Sequence, residues 1–304
     1  MTPLKPEKPT GKANGKVILL GEHAVVHGAH ALAVGLPDRM TVEVEPIDGP
    51  ITLKVPAWGL TTDASAREDS GRALRDMIGV LGIRPFGMRL MGRTDLPPRS
   101  GLGASAALAA ASARAIGEMT RNKYDFDTLF RAVQASERVF HGNPSGLDAA
   151  VALGGGVIRF SVGAGASHTG APPPPIVVIH SGREGKTSDM VDRVAARMYS
   201  YPEDSAKKLD AMDRIAERGT DAIRVWDLPT LGSLMIENQR YLDWFGVSTP
   251  ALNKICAVAI GAGALGAKLT GGGGGGCAVA LVTLEYREAV CASAKAAGFT
   301  VVTS

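Results

Sequence analysis

The stretch Asp95-Leu-Pro-Pro-Arg-Ser-Gly-Leu-Gly-Ala-Ser-Ala-Ala-Leu-Ala-Ala110 changes character halfway along. Pro97 and Pro98 end any preceding helix or central strand. Ser100 to Gly103 then form a short loop whose glycines allow positive φ and close backbone approach, and the alanine-rich run beyond favours helix. A loop feeding a helix N-terminus leaves backbone N–H groups without intrahelical acceptors and sets the positive end of the helix dipole beside them. That suits an anion such as a phosphate. Ser105, in the first turn, can add a hydroxyl for the phosphate or for a metal riding on it. The loop matches neither standard nucleotide fingerprint, and a glycine turn capping an ordinary surface helix would read the same way, so the rest of the chain has to decide.

The chain has 304 residues, 45% of them hydrophobic and 21% charged, which is ordinary for a globular protein of one large or two smaller domains. Glycine stands out: 38 residues, one in eight, against a usual ~7%, clustered in loops as expected of backbone wrapped closely around a ligand. The net charge is only +3, with both signs mixed along the chain and few aromatics, so nothing points to nucleic acid or a membrane surface. Cys256, Cys277 and Cys291 lack Cys-x-x-Cys spacing and histidines at zinc spacing, which indicates neither disulfides nor a structural metal and fits a reducing cytoplasm. The N-terminus has no apolar core of a signal peptide, and no apolar run approaches the ~20 residues that span a bilayer.

Outward from the opening stretch, the chain reads as α+β. After a loose tail to about Thr10, Lys16 to Leu20 is a buried strand, and Gly21 to Gly28 crowds Glu22, His23 and His27 into a turn. A lysine opening an apolar strand must reach solvent or find an anion. Residues 40–46 and 51–55 alternate as half-buried antiparallel strands do, 65–81 has helical spacing, and 87–91 is a strand leading to the loop. From Asp125 to Phe140 the apolar positions recur at helical spacing, with Asp125 or Asp127 available as N-cap. Glu137 lies on the inward stripe of that helix, where a carboxylate needs a cation unless it leans out to solvent. Asp148 is the only charge between Arg138 and Arg159. Ser145-x-x-Asp148 matches a capping box, yet an acid beside a glycine loop and a second inward acid also fits phosphoryl transfer.

Residues 161–175, with four consecutive prolines, read as the crossing between domains. The second half predicts a strand at 176–180, helices to about 222, another over 228–245 and one from about Pro250. Strands at 267–270 and 277–283 flank six glycines, Gly271 to Gly276, and a helix and a final strand follow. Brevity and apolar flanks make the glycine run a ligand-facing turn rather than a flexible linker.

Three separated motifs, Gly15 to Gly28, Pro98 to Ala107 and Gly266 to Cys277, together resemble the GHMP kinase superfamily. The Glu137-to-Asp148 spacing is most similar to its mevalonate kinase family. The resemblance implies a ribosomal-protein-S5-like α+β N-terminal domain over 1–165, a ferredoxin-like α+β C-terminal domain over 166–304, and an active site in the cleft between them. It implies Asp148 as the base that takes the proton of the attacking hydroxyl and Lys16 as the lysine that polarises that hydroxyl and contacts the moving phosphoryl group. Pro98, Arg99, Ser100, Gly101, Leu102, Gly103, Ala104, Ser105 and Ala106 match the ATP phosphate loop, and Ser105 and Glu137 match magnesium ligands. Glu22, His23, Ser145, Asp148, Thr270, Gly271 and Gly272 fall on the acceptor side. The implied reaction is ATP- and Mg²⁺-dependent phosphorylation of the primary hydroxyl of mevalonate, in the cytoplasm, by a chain for which a homodimer is one assembly. Asn14, Ala104 and Gly272 depart from the family pattern, which commonly has proline, serine and alanine there. Substrate choice rests on fewer residues than the phosphate loop, so phosphomevalonate, homoserine or sugar phosphorylation competes with this reading, as does a catalytically silent metabolite-binding relative.

Overall fold

The computed structural model describes residues 8–83 and 86–303; most of the tail expected to be loose, residues 1–7, lies outside them. The first sheet is built on β1 (Thr10–Leu20) and the long β2 (Ala31–Pro46), which pair antiparallel. The second half of β2 buries Met40, Val42 and Val44 in alternation, whereas its first half is buried continuously from Ala31 to Leu36. Only the alternating half carries a period-2 signal, which is why the strand extends nine residues before the expected start at 40. β3 (Thr52–Val55) pairs antiparallel with β4 (Leu60–Asp63) and parallel with β5 (Met88–Thr94), which follows α1 (Asp69–Leu81).

Next come α2 (Ala104–Thr120), α3 (Phe126–His141), α4 (Leu147–Gly154), β6 (Val157–Ser161) and β7 (Gly165–His168), giving the strand order β4-β3-β5-β2-β6-β7 with β1 on β2. The β6–β7 hairpin occupies part of the stretch expected to be a plain crossing, so a break at 165/166 would cut β7; the first sheet runs to His168 and the prolines follow it. Asp125 is the residue that caps α3, accepting from the Thr128 N–H at 2.8 Å.

The alanines of α2 have a packing reason as well as a propensity one. The helix is buried on nearly all sides, and a Cβ added at Gly11 of β1 would lie 2.0 Å from the Ala111 carbonyl oxygen. Small residues on both elements bring helix and strand backbones together, and that sets the start of α2 against the strand carrying Lys16.

The second sheet comprises β8 (Ile176–His180), β9 (Gly266–Thr270), β10 (Cys277–Leu281) and β11 (Thr300–Thr303), all antiparallel in the order β11-β8-β10-β9. Between β8 and β9 run α5 (Thr187–Ser200), α6 (Pro202–Arg224), α7 (Leu228–Trp244) and α8 (Pro250–Gly261), and α9 (Arg287–Ala296) precedes β11. Numbered within the sheet this is order 4-1-3-2, the ferredoxin-like arrangement. The two halves meet where β9 and α7 approach β1 and where α6 packs on β1 and β2. No helix among the described residues is long and apolar enough to cross a membrane.

Candidate active site

The loop after β5 is held from both ends. Ser100 Oγ donates to the Pro97 carbonyl at 2.7 Å, and the Lys16 N–H donates to the Leu102 carbonyl at 2.8 Å. Gly103, the N-cap of α2, has φ 68° and makes no side-chain cap, so the first N–H groups of the helix keep no protein side chain on them. A Cβ at Gly103 would lie 2.7 Å from Lys16 Cγ, so this position needs glycine both for its φ and for the passage of the lysine stem.

Lys16 is 4% exposed and reaches Asp148, Nζ to Oδ1 3.0 Å. Asp148 stands in the first turn of α4, whose N-cap is Gly146 with φ 98°. The capping box therefore does not form: Ser145 Oγ accepts from the Leu147 N–H at 3.3 Å, and the aspartate faces the lysine. Glu137 is 1% exposed, and its Oε1 has no hydrogen-bond partner among the described residues. Burial, reinforced by the Asp148 charge, pushes its carboxyl up to about 8, with the Ser105 hydroxyl and the Lys16 ammonium pulling the other way. The stripe-edge alternative thus fails, since this acid is buried rather than leaning into solvent. His141, one turn on, brings Nε2 to 3.7 Å from Glu137 Oε2, and burial holds its pKa low.

Across from this cluster sits the turn after β1. His23 has φ 60°, a strained value for a residue with a side chain, and its Nε2 lies 2.8 Å from the Gly272 carbonyl, which can only accept, so Nε2 carries the proton. Burial lowers its pKa to about 4, leaving the ring neutral. Gly271 lies on the phosphate loop: a Cβ there would be 2.5 Å from Gly101 Cα, while the Cys277 N–H donates to the Ser100 carbonyl at 3.0 Å. The exposed Arg99, at φ 51°, reaches Glu184 of the second half at 3.4 Å.

The resemblance puts Glu22 and Thr270 on the acceptor side; the structure instead seals both in the seam between the halves. Glu22 accepts from the fully buried Lys268, and Thr270 spends its hydroxyl on β1, accepting from the Ile18 N–H at 2.8 Å and donating to the Ile18 carbonyl at 3.2 Å. Burial pushes Glu22 up and Lys268 down, and each is pulled back by the other. Lys268 and His141 carried no role in the sequence, although Lys268 bears the same signal as Lys16, a lysine in an apolar strand. Asn14 donates from Nδ2 to the Ala152 carbonyl at 3.2 Å, so it ties the end of α4 to β1 where proline could not.

One further cluster, His30 with Asp213 and Glu217, has metal-like composition. Arg159 Nη2 sits 2.6 Å from His30 Nε2, and Asp213 Oδ1 lies 2.8 Å from Nδ1. Both ring nitrogens are used, and the neighbouring guanidinium disfavours a cation, so the cluster links the two halves.

The chain matches the family models described as GHMP kinases N terminal domain, over residues 70–156, and GHMP kinases C terminal, over 221–299. It is 34% identical to the mevalonate kinase of Pyrococcus furiosus across 97% of this chain and 96% of that one. The L. major mevalonate kinase solved with R-mevalonate superposes with TM-score 0.83 at 29% identity, covering 96% of this chain and 92% of that one. The Methanococcus jannaschii enzyme, at 21% identity, shares the fold with TM-score 0.84 over 98% of each chain. With matched halves, near full-length relatives and a lysine, two acids and a helix N-terminus gathered in one place, the chain belongs to the GHMP kinase family.

Proposed function

We propose that the chain transfers the γ-phosphoryl group of ATP to the primary hydroxyl of mevalonate, giving 5-phosphomevalonate and ADP. The observation that carries this reading is the Lys16–Asp148 pair at 3.0 Å, set beside an uncapped helix N-terminus. The substrate is the one named for the relatives, and a coupled ADP-release assay tests it. Turnover with mevalonate is expected; turnover with galactose, homoserine or phosphomevalonate in its place would sink the assignment.

In this reading the loop from Pro98 to Ala106 holds the phosphates through the backbone N–H groups at the start of α2 and the local dipole. Asp148 accepts the proton of the mevalonate hydroxyl as its oxygen bonds to the γ-phosphorus. The bond from that phosphorus to the β,γ-bridging oxygen breaks, and ADP leaves with the electron pair. The Lys16 ammonium lies where it can draw the hydroxyl toward ionisation and offset charge on the transferring group, a role that asks for fixed position more than covalent chemistry. Ser145, His23, Gly271 and Gly272 border the acceptor side.

The donor set at Glu137 and Ser105 fits Mg²⁺: hard oxygens, one of them a buried carboxylate oxygen without a hydrogen-bond partner among the described residues. When bound, Mg²⁺ supplies neutralisation of phosphate charge. The three free thiols are in keeping with a cytoplasmic location, which we also infer.

A further inference from the structure

The seam beside the site holds a set of polar groups that phosphoryl transfer does not use. Lys268 Nζ binds Glu22 Oε1 and also donates to the Leu269 carbonyl at 2.6 Å and, more weakly, to the Ile18 carbonyl at 3.4 Å. Glu22 Oε2 accepts from Asn238 Nδ2 of α7 at 3.3 Å, and Asn238 Oδ1 has no partner among the described residues, so the amide is oriented by the carboxylate. Three elements remote in sequence are joined here: the turn after β1, α7 and β9.

Sealing an ion pair from water carries a large desolvation cost for each ion, and a shape-matched apolar pair is often as stable or more so. Stability is therefore a poor reason for charges at this place, and register is a better one. Glu22 stands between the strand bearing Lys16 and the strained His23. Lys268 stands two residues before Thr270, which completes the hydrogen bonding of Ile18, and four before Gly272, whose carbonyl receives His23. The next contact outward is Gly271 on Gly101 of the phosphate loop, backbone against backbone. A shift of β9 along β1 would carry the glycine loop across the phosphate loop.

We propose that Glu22, Lys268 and Asn238 are positioning residues: a sealed tie between the halves that fixes the glycine loop over the phosphate loop and touches neither substrate. The proposal rests on the kinase reading above. The test is the double variant Glu22→Gln/Lys268→Met, which removes both charges and roughly keeps shape, with Asp213→Asn as a control that weakens another link between the halves, where Asp213 Oδ1 accepts from the His30 N–H at 2.7 Å. Wild type, double variant and control are compared by kcat and KM for mevalonate, nucleotide affinity, and amide hydrogen exchange over 271–276. The expected result is kcat lowered about 30-fold, KM and nucleotide affinity within threefold, faster exchange in the glycine loop, and an unaltered control.

Unchanged kcat in a folded double variant would overturn the proposal. So would a rise in KM at constant kcat, which would make Glu22 a substrate contact, or an equal loss in the control, which would make any tie between halves sufficient. If the double variant does not fold, Asn238→Leu carries the same test with a smaller expected loss, about fivefold in kcat at constant KM, and an unchanged kcat there overturns the proposal equally. A wild type that releases no ADP with any of the four acceptors overturns the kinase reading and this proposal together, an outcome distinct from a silent variant of an active enzyme.

Discussion

Two buried lysines face two carboxylates in this chain, and they are built for opposite purposes. Lys16 is nearly covered, but its partner Asp148 keeps 33% of its side chain exposed. Lys268 is wholly covered, and so is Glu22 at 1%. A pair with one partner partly exposed can trade that partner for a ligand's charge at modest desolvation cost, because water already solvates part of it. A sealed pair cannot, since each ion has given up its hydration for the other. The first arrangement suits chemistry and the second suits register. Both pair a lysine with a carboxylate, so burial of the partner, and not the presence of a lysine, separates a reactive site from a structural tie.

The contrast breaks most visibly at Asp148. Asp148→Asn is expected to lower kcat about 10²- to 10⁴-fold, the usual worth of a positioned general base, with little change in the urea midpoint. Lys16→Met should cost about 10²- to 10³-fold in kcat, as loss of one preorganised electrostatic contact does, again with the fold retained. An unfolded Lys16→Met protein would show that its pair is structural after all. Lys268→Met alone leaves Glu22 charged and uncompensated in the interior, and a loss of about 3–5 kcal/mol in urea unfolding is expected; a loss below about 1 kcal/mol would mean that water reaches the pair.

A pH comparison sharpens the difference on the acid side. Glu137 has its folded pKa raised from 4.5 to about 8, so between those values the folded state binds the extra proton. Its contribution to stability is fully present below 4.5 and is lost as pH rises through about 8. Metal-free protein is therefore expected to lose about 2 kcal/mol between pH 6 and pH 8 from this group, on the scale of 1.36 kcal/mol per pK unit. Mg²⁺ should bind more tightly by up to about tenfold per pH unit over the same range, because binding expels the proton. His23 works the other way: its folded pKa is lowered from 6.5 to about 4, so its contribution is present above 6.5 and is lost as pH falls toward about 4. Calorimetric titration of Mg²⁺ with pH, beside urea unfolding of the metal-free protein, reads both; Mg²⁺ affinity flat in pH would remove Glu137 from the metal site.

Much of this was legible in the chain and some was not, for reasons that differ by residue. Lys16, Glu137 and Asp148 each broke a local pattern: a lysine in an apolar strand, an acid on an inward stripe, a lone charge in an apolar stretch. Local patterns survive without knowledge of the fold. Lys268 broke the same pattern as Lys16, but its partner is 246 residues away, and nothing in one sequence says that two distant charges will meet. The resemblance put Thr270 on the acceptor side, whereas its hydroxyl replaces a missing strand neighbour for Ile18. The continuously buried half of β2 and the hairpin partner β7 escaped because neither alternates in polarity, β2 being covered on both faces there and β7 being half-buried to exposed along its length.

The finest comparison is between the two glycine-rich loops, at Gly272. The phosphate loop needs its glycines for positive φ, as at Gly101 and Gly103, but Gly272 is not among the positive-φ residues, and its family counterpart is commonly alanine. What alanine would meet here is Thr187: a Cβ at Gly272 would lie 2.8 Å from Thr187 Oγ1 and 3.2 Å from the backbone at its α-carbon. Turning the threonine side chain does not by itself clear the site, because Thr187 Cγ2 also lies 3.1 Å away, and the approach to the α-carbon needs the start of α5 to shift by a few tenths of an ångström. Gly272→Ala is therefore expected to cost about 1 kcal/mol or slightly more, at the low end of overpacking. Part of that cost should be recovered in Gly272→Ala/Thr187→Gly, which removes the clash with the side chain and leaves the crowding against the helix backbone. An alanine variant as stable as wild type would mean that α5 already yields to the glycine loop, and that the loop is held by the seam at Lys268 rather than by its own packing.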